Sequence, residues 1–194
     1  MALQDILKNT AAYLSNKSKE ALAWYKEKVA KITGPRGPKD PTKPFKTVSV
    51  PELGKMYLYT YNPLTREKLP FFDMYPLVIP LSFYSKKNGR GFLGLNLHYL
   101  PPLQRAALLQ SFIESGSLNN RNMDVTTKFV GLDYSMLTTR FQGTPYEVCI
   151  KRYLFGHVVS SFHEINANDW DRVVILPLQK WVVNSNKPNS RTPY

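Results

Sequence analysis

Three histidines, a single cysteine and a scatter of aspartates carry whatever acid–base, nucleophilic or metal chemistry this sequence can do. His157 and His163 stand six residues apart, with Glu164 beside the second. Two metal ligands on one helical face need a spacing of about four, so both histidines are expected on the surface or at element caps. Cys149 could pair with a distant histidine as a nucleophile. It falls in an apolar helical pattern, which predicts a buried, inert thiol. Asp73, Asp169 and Asp171 could hold a divalent ion for nuclease work, but no acid-x-Lys motif accompanies them. The glycines of GRGFLG lack the Gly-Lys-Ser/Thr of a phosphate loop, and Gly89, Gly91 and Gly94 read as a tight turn and a bulge. The expectation is a protein with no catalytic residues, no metal site and no cofactor.

Binding chemistry is better represented. Tyr57, Tyr59, Tyr61, Phe71, Phe72 and Tyr75 lie near Arg66 and Lys68, a mixture that can stack and clamp single-stranded nucleic acid. Strand aromatics are more often core or interface, and that is the expectation for these. Lys86, Lys87 and Arg90 on a glycine turn are better phosphate contacts, because a flexible loop can follow a backbone, and Lys151-Arg152 adds to them; for any one of these residues taken singly, a solvated hairpin tip is the stronger expectation. Bases outnumber acids 26 to 14, and the excess is uneven. Residues 1–55 are net +6, 56–179 net +3 and 180–194 net +3, the last segment including Lys187 and Arg191. Basic extensions of this kind meet polyanions or acidic partner surfaces.

The elements that would position these groups follow from periodicity. Residues 1–33 read as an amphipathic helix. Leu3, Leu7 and Leu14, then Leu22, Tyr25 and Val29, recur at near-helical spacing, and Lys17, Lys19, Lys26, Lys28 and Lys31 lie opposite. Residues 34–51 read as a proline-rich basic arm, in which Pro35, Pro38, Pro41 and Pro44 favour extended chain. Both segments are candidate assembly contacts. The core domain is assigned to 52–183 and a basic tail to 184–194. Within the core, Met56–Tyr61 alternates as a strand with its three tyrosines on one face. Leu77–Ile79 continues past Pro80 into Leu81–Tyr84, Asn88-Gly89 marks a hairpin, and Phe92–Tyr99 is the next strand. Pro101-Pro102 opens a helix over 103–115, Thr126–Val130 reads as a strand, and Pro145 opens a second helix through His157. Asn168 caps a short helix, and Trp181–Val183 forms a last strand. The fold class is α+β: a small antiparallel β-sheet or SH3-like barrel with packed helices, plus the N-terminal helix and extended arm.

One cysteine excludes an internal disulfide framework and fits a reducing compartment or a particle assembled in the cytosol. The N-terminus lacks the h-region of a signal peptide. No apolar run approaches the roughly 18–20 residues of a membrane span, so no membrane partner is expected.

Three blocks carry a resemblance: YxYNPxxxxKLPFFDMYPLVIPL, GFLGLNLHYLPPLQRAALL and IKRYLFGHVVSSFHEINANDWDRVVILP. Together, over about residues 54–178, they resemble a small virion-associated protein family of contractile-tailed bacteriophages, the DNA end protectors. Asn62-Pro63 stands where the family has Asp-Pro, and Phe71-Phe72-Asp73 where it has Tyr-Tyr-Asp. The resemblance implies a virion protein assembled in the bacterial host cytoplasm, within a symmetric multi-subunit particle, and it supplies no catalytic residues. Two functions follow as expectations. The first is a non-enzymatic structural protein joining neck, tail or baseplate proteins through its terminal segments. The alternative is a protein that binds packaged double-stranded DNA at its termini and protects the genome ends.

Overall fold

A computed structural model describes residues 45–87, 89–114, 142–144, 146–188 and 191–193, together with Lys19, Glu20 and Ala23. Those last three are helical. The remainder of the expected N-terminal helix, the arm prolines and the strand expected at Thr126–Val130 lie outside the described residues.

Six strands form the main sheet: β1 (Lys46–Val48), β2 (Met56–Leu58), β4 (Leu77–Lys86), β5 (Gly89–Asn96), β6 (Ile150–Leu154) and β7 (Phe162–Ile165). Their order is β1-β7-β2-β4-β5-β6, antiparallel throughout. A second, two-stranded sheet pairs β3 (Phe71–Asp73) with β8 (Trp181–Val183). The helices are α1 (Pro102–Glu114) and α2 (Trp170–Val173). The antiparallel sheet expected from the alternating pattern is therefore present. β1 falls within the stretch assigned to the arm: Phe45 is buried and Lys46–Val48 pair with β7, so sheet structure begins ahead of residue 52.

The sheet is strongly curled. Phe92 on β5 and Phe162 on β7 are separated by β2 and β4, which in a flat sheet means three spacings of about 4.8 Å, or about 14 Å. Their ring centroids are 6.0 Å apart. The curl encloses an aromatic core of Tyr57, Tyr59, Tyr61, Val78, Phe92, Tyr153 and Phe162. Tyr59 is its centre, with edge-on contacts to Tyr61, Phe92, Tyr153 and Phe162 at 4.9–6.3 Å. Such pairs each contribute about 0.5–1.5 kcal/mol beyond area burial. The curl does not close: no register joins β1 to β6 among the described residues. Among the described residues the arrangement is an open, curled antiparallel sheet.

The opposite face is aliphatic. Met56, Leu58, Leu77, Ile79 and Leu95 meet Leu108 and Leu109 of α1 and Trp170 and Val173 of α2. Alternation along β2 accounts for both cores, since neighbouring side chains on a strand point to opposite faces. Arg105 fastens α1 to the chain after α2. Its fully buried guanidinium donates to the carbonyls of Leu100 (2.7 Å) and Val174 (3.1 Å) and to Gln179 Oε1 (3.3 Å).

Two local expectations are corrected. The stretch from Pro145 through His157 is not a helix. A 3-10 turn at Glu147–Cys149 leads into β6, and another turn follows at Phe155–His157. The apolar spacing there fits either period, and pairing with β5 decides it. The short helix is also capped differently. Asn166 Oδ1 accepts from the Asn168 amide at 2.9 Å and caps a 3-10 turn, Ala167–Asp169, that contains Asn168 and leads into α2; the N-cap of α2 is Asp169, which makes no side-chain cap bond. The bend after Pro80 is a register shift between Pro80 and Ser82. The β4–β5 hairpin forms at the expected place, with Lys86 paired to Gly89.

Close approach explains Gly91 and Gly94. A Cβ at Gly91 would overlap the Tyr153 carbonyl oxygen and the Tyr84 hydroxyl; at Gly94 it would overlap a Val78 methyl. Gly91→Ala is expected to cost about 2 kcal/mol or more by forcing β5 and β6 apart. Gly156→Ala, where a Cβ meets open space, should stay within about 0.5 kcal/mol. Urea denaturation of the two variants checks this; equal midpoints would contradict it.

Candidate nucleic-acid interface

A cleft of about 450 Å³ opens between the two sheets. The two-stranded sheet supplies Phe71, Phe72 and Asp73, and the loop before it supplies Pro63, Leu64, Leu69 and Pro70. The main sheet supplies Tyr84, Lys86, Asn96, Lys151, Arg152 and Tyr153, with Tyr99 from the turn that ends β5.

Burial sorts these residues by depth. Asp73, Asn96 and Tyr153 are buried and form the floor. Phe71, Phe72 and Tyr99 are half-buried walls, and Lys86 and Arg152 are exposed at the rim. Lys151 lies between, half-buried, its Nζ 4.1 Å from the centre of the Tyr99 ring. Burial pushes its ammonium pKa down, and the ring face offsets part of that desolvation. Lys86, Lys151 and Arg152 enter no ion pair among the described residues.

The floor is built by Asp73. Its Oδ1 accepts from the amides of Tyr75 (3.0 Å) and Lys180 (3.2 Å), and its Oδ2 accepts from His98 Nδ1 at 2.7 Å. His98 is fully buried in the turn after β5, where Asn96 Oδ1 accepts its amide at 3.0 Å. The Asn96 side chain also donates to the Tyr153 hydroxyl at 3.0 Å. One polar chain thus crosses from Lys180, just ahead of β8, through Asp73 and the β5 turn to β6. Burial, reinforced by the Arg105 charge, pushes the His98 pKa down against the pull of Asp73, leaving a neutral imidazole. Tyr99 packs on Trp181 at 5.1 Å and on Phe71 at 6.0 Å, fixing the walls.

The sequence-selected residues divide. Lys86, Lys151 and Arg152 converge on the cleft, and Lys87 is exposed on the adjoining turn. Arg90 turns to a separate groove with Val50, Phe155 and Phe162. Lys187 and Arg191 line neither site. The candidate assembly residues Leu3, Leu7, Leu14, Leu22, Tyr25, Val29, Pro35, Pro38, Pro41 and Pro44 lie outside the described residues. The aromatic set splits too: Tyr57 and Tyr59 are core, Tyr61 belongs to that core and also lines the cleft, and Phe71 and Phe72 form cleft wall.

Asp73 is not grouped with Asp169 and Asp171; it belongs to His98, and Asp169 faces Arg172 at 3.7 Å. Among the described residues no three metal-ligating side chains gather. His163 is buried on β7 rather than on the surface, while His157 Nδ1 lies 3.0 Å from the Asn62 carbonyl. Cys149 is buried, as expected, but in a 3-10 turn, and burial pushes its thiol up to about 12. Residue type and spacing alone do not single out Tyr99, Asn96 and His98 as site residues. The one signal is the alternate placing of Asn96 and His98 in an otherwise apolar stretch, GFLGLNLHY, and it does not extend to Tyr99.

Cations at the rim and rings on the walls, over a buried floor whose polar groups bond one another, make a site suited to an anionic ligand that carries a flat ring. The chain belongs to the family of the phage T4 terminal DNA protecting protein, whose model matches residues 1–193. The match takes in the N-terminal segment and the arm, which the three motif blocks left out. No curated protein and no solved structure matches the chain. No helix among the described residues is long and apolar enough to cross a membrane.

The lowered His98 pKa has a consequence for stability. The unfolded imidazole titrates near 6.5, so below that pH the unfolded state binds the proton first. Stability is then expected to hold above about pH 7 and to fall as the solution is acidified through the range below 6.5. His98→Gln should be less stable at pH 8 and should lose less between pH 7 and 5. Urea titrations at a series of pH values test this; parallel pH slopes for the two proteins would contradict it.

Proposed function

We propose that this chain binds the ends of linear double-stranded phage DNA and shields them, acting as a non-enzymatic virion protein. The observation that carries the reading is the convergence of Lys86, Lys151 and Arg152 on one ring-walled cleft, in a chain whose family is described by terminal DNA protection. Among the described residues these three cations enter no ion pair, a basic cluster attracts anions, and phosphate is the anion that DNA offers. Lys87, on the adjoining hairpin turn, extends the basic rim towards the backbone beyond the end.

This reverses the order of the two functions expected from sequence. End binding becomes the principal function, and attachment to other virion proteins becomes the task of the terminal segments. Residues 1–55 carry net +6 and 180–194 carry net +3, charge suited to acidic neighbours or to more DNA. Protection needs no catalytic residue. A protein seated on the terminus blocks an exonuclease by occupying the place where it would load.

End binding should show as a preference for linear over circular duplex, with affinity falling steeply as salt rises. The variants Lys86→Ala and Arg152→Ala should each weaken binding. Each should also flatten the log–log salt slope by about 0.9 for every phosphate the variant no longer neutralises. Fluorescence anisotropy across a salt series measures both. Equal affinity for circles and linear duplexes, or no binding at about 50 mM salt, would overturn the reading.

A further inference from the structure

The size and layering of the cleft point to a more specific ligand. A volume of about 450 Å³ sits near the low end of the roughly 300–1,000 Å³ typical of small-molecule sites. It cannot take a duplex, whose major groove alone is about 12 Å wide and 8.5 Å deep. It has room for one nucleotide.

Charge is layered in the same sense. Lys86 and Arg152 are exposed at the rim and Lys151 lies just inside it, whereas Asp73, Asn96 and Tyr153 are buried at the floor. The Asp73 carboxylate at the floor disfavours a phosphate at depth, while the rim cations suit one. The walls between them, Phe71, Phe72 and Tyr99, are π surfaces on which any base can stack. A ring therefore enters first and the phosphate stays at the mouth.

Resting on the end-binding reading, we infer that the cleft holds a single unpaired terminal nucleotide, its base against the ring-lined wall of Phe71, Phe72 and Tyr99 and its phosphate on Lys86, Lys151 and Arg152. The end is recognised because only an end can give up a nucleotide cheaply. An internal nucleotide must break pairing and two stacks to leave the helix, and a terminal one breaks pairing and a single stack. An overhanging nucleotide breaks no pair at all.

The test varies the DNA and keeps the full-length protein unchanged. Four linear duplexes of one length are compared, each blocked at its far end by a hairpin. The first has a terminal base pair covalently cross-linked between strands, the second a one-nucleotide 5′ overhang, the third a one-nucleotide 3′ overhang. The fourth has an abasic residue as the overhang. At least one overhang should bind about tenfold tighter than the cross-linked end, and the polarity that does so identifies the strand taken. The abasic overhang should lose most of that gain. Lys151→Met and Phe71→Leu should erase it, with circular dichroism confirming that both variants fold.

Equal affinity for cross-linked and overhanging ends overturns the inference, as does an abasic overhang that binds as well as a normal one. Either result leaves end binding intact provided linear duplex still outcompetes circles. Loss of that preference removes both.

Discussion

The Asp73 carboxylate is the point at which the two sheets become one body. It is nearly fully buried, and each of its oxygens is engaged: Oδ1 by the Tyr75 and Lys180 amides, Oδ2 by His98. Hydrogen bonds to a charged acceptor contribute about 1.5–3 kcal/mol, and an ionised carboxylate without them would not be tolerated at this depth. The Met74 amide adds a bond to the Lys180 carbonyl at 2.8 Å. The position of the two-stranded sheet, and with it one wall of the cleft, depends on this carboxylate.

The cleft is a by-product of how the main sheet curls. Aromatic residues of β2, β5, β6 and β7 meet inside the curl, and the glycines of β5 let β6 come close. That leaves Lys151 and Arg152 on an edge strand beside the β4–β5 hairpin, whose end carries Lys86. Lys86 and the distant Lys151-Arg152 pair are thereby gathered without any helix to present them. An edge strand bearing exposed charge also resists pairing with another sheet, so the same residues protect the fold's open side.

Local pattern reveals much of this and non-local pairing conceals the rest. The alternation of Met56–Tyr61 tells the two cores apart because a strand's period is two. Pro101-Pro102 and the Asn88-Gly89 pair mark a helix start and a hairpin through their own backbone preferences. The segment 146–157 misleads because Val148, Ile150, Tyr153 and Leu154 satisfy a helical spacing, and only pairing with β5 selects a strand. Lys86 and Lys151-Arg152 are legible as phosphate contacts from residue type, but their convergence is not, since 65 residues separate Lys86 from Lys151. Asp73 and His98 are opaque for the same reason: nothing in either neighbourhood names the other. Arg105 gives no sign at all, because a lone arginine on a helix reads as a solvated face.

On the end-binding reading, a DNA terminus sits in the cleft between the sheets. The most direct measurement is photo-cross-linking from a duplex carrying a photoreactive base at its terminal nucleotide, followed by peptide mapping on the full-length protein. The account predicts adducts on the peptides that contain Phe71-Phe72 or Tyr99, absent when the photoreactive base is moved ten pairs inward. Adducts confined to the Lys87 turn or to residues 1–44 and 184–194, with none in the cleft, would contradict it.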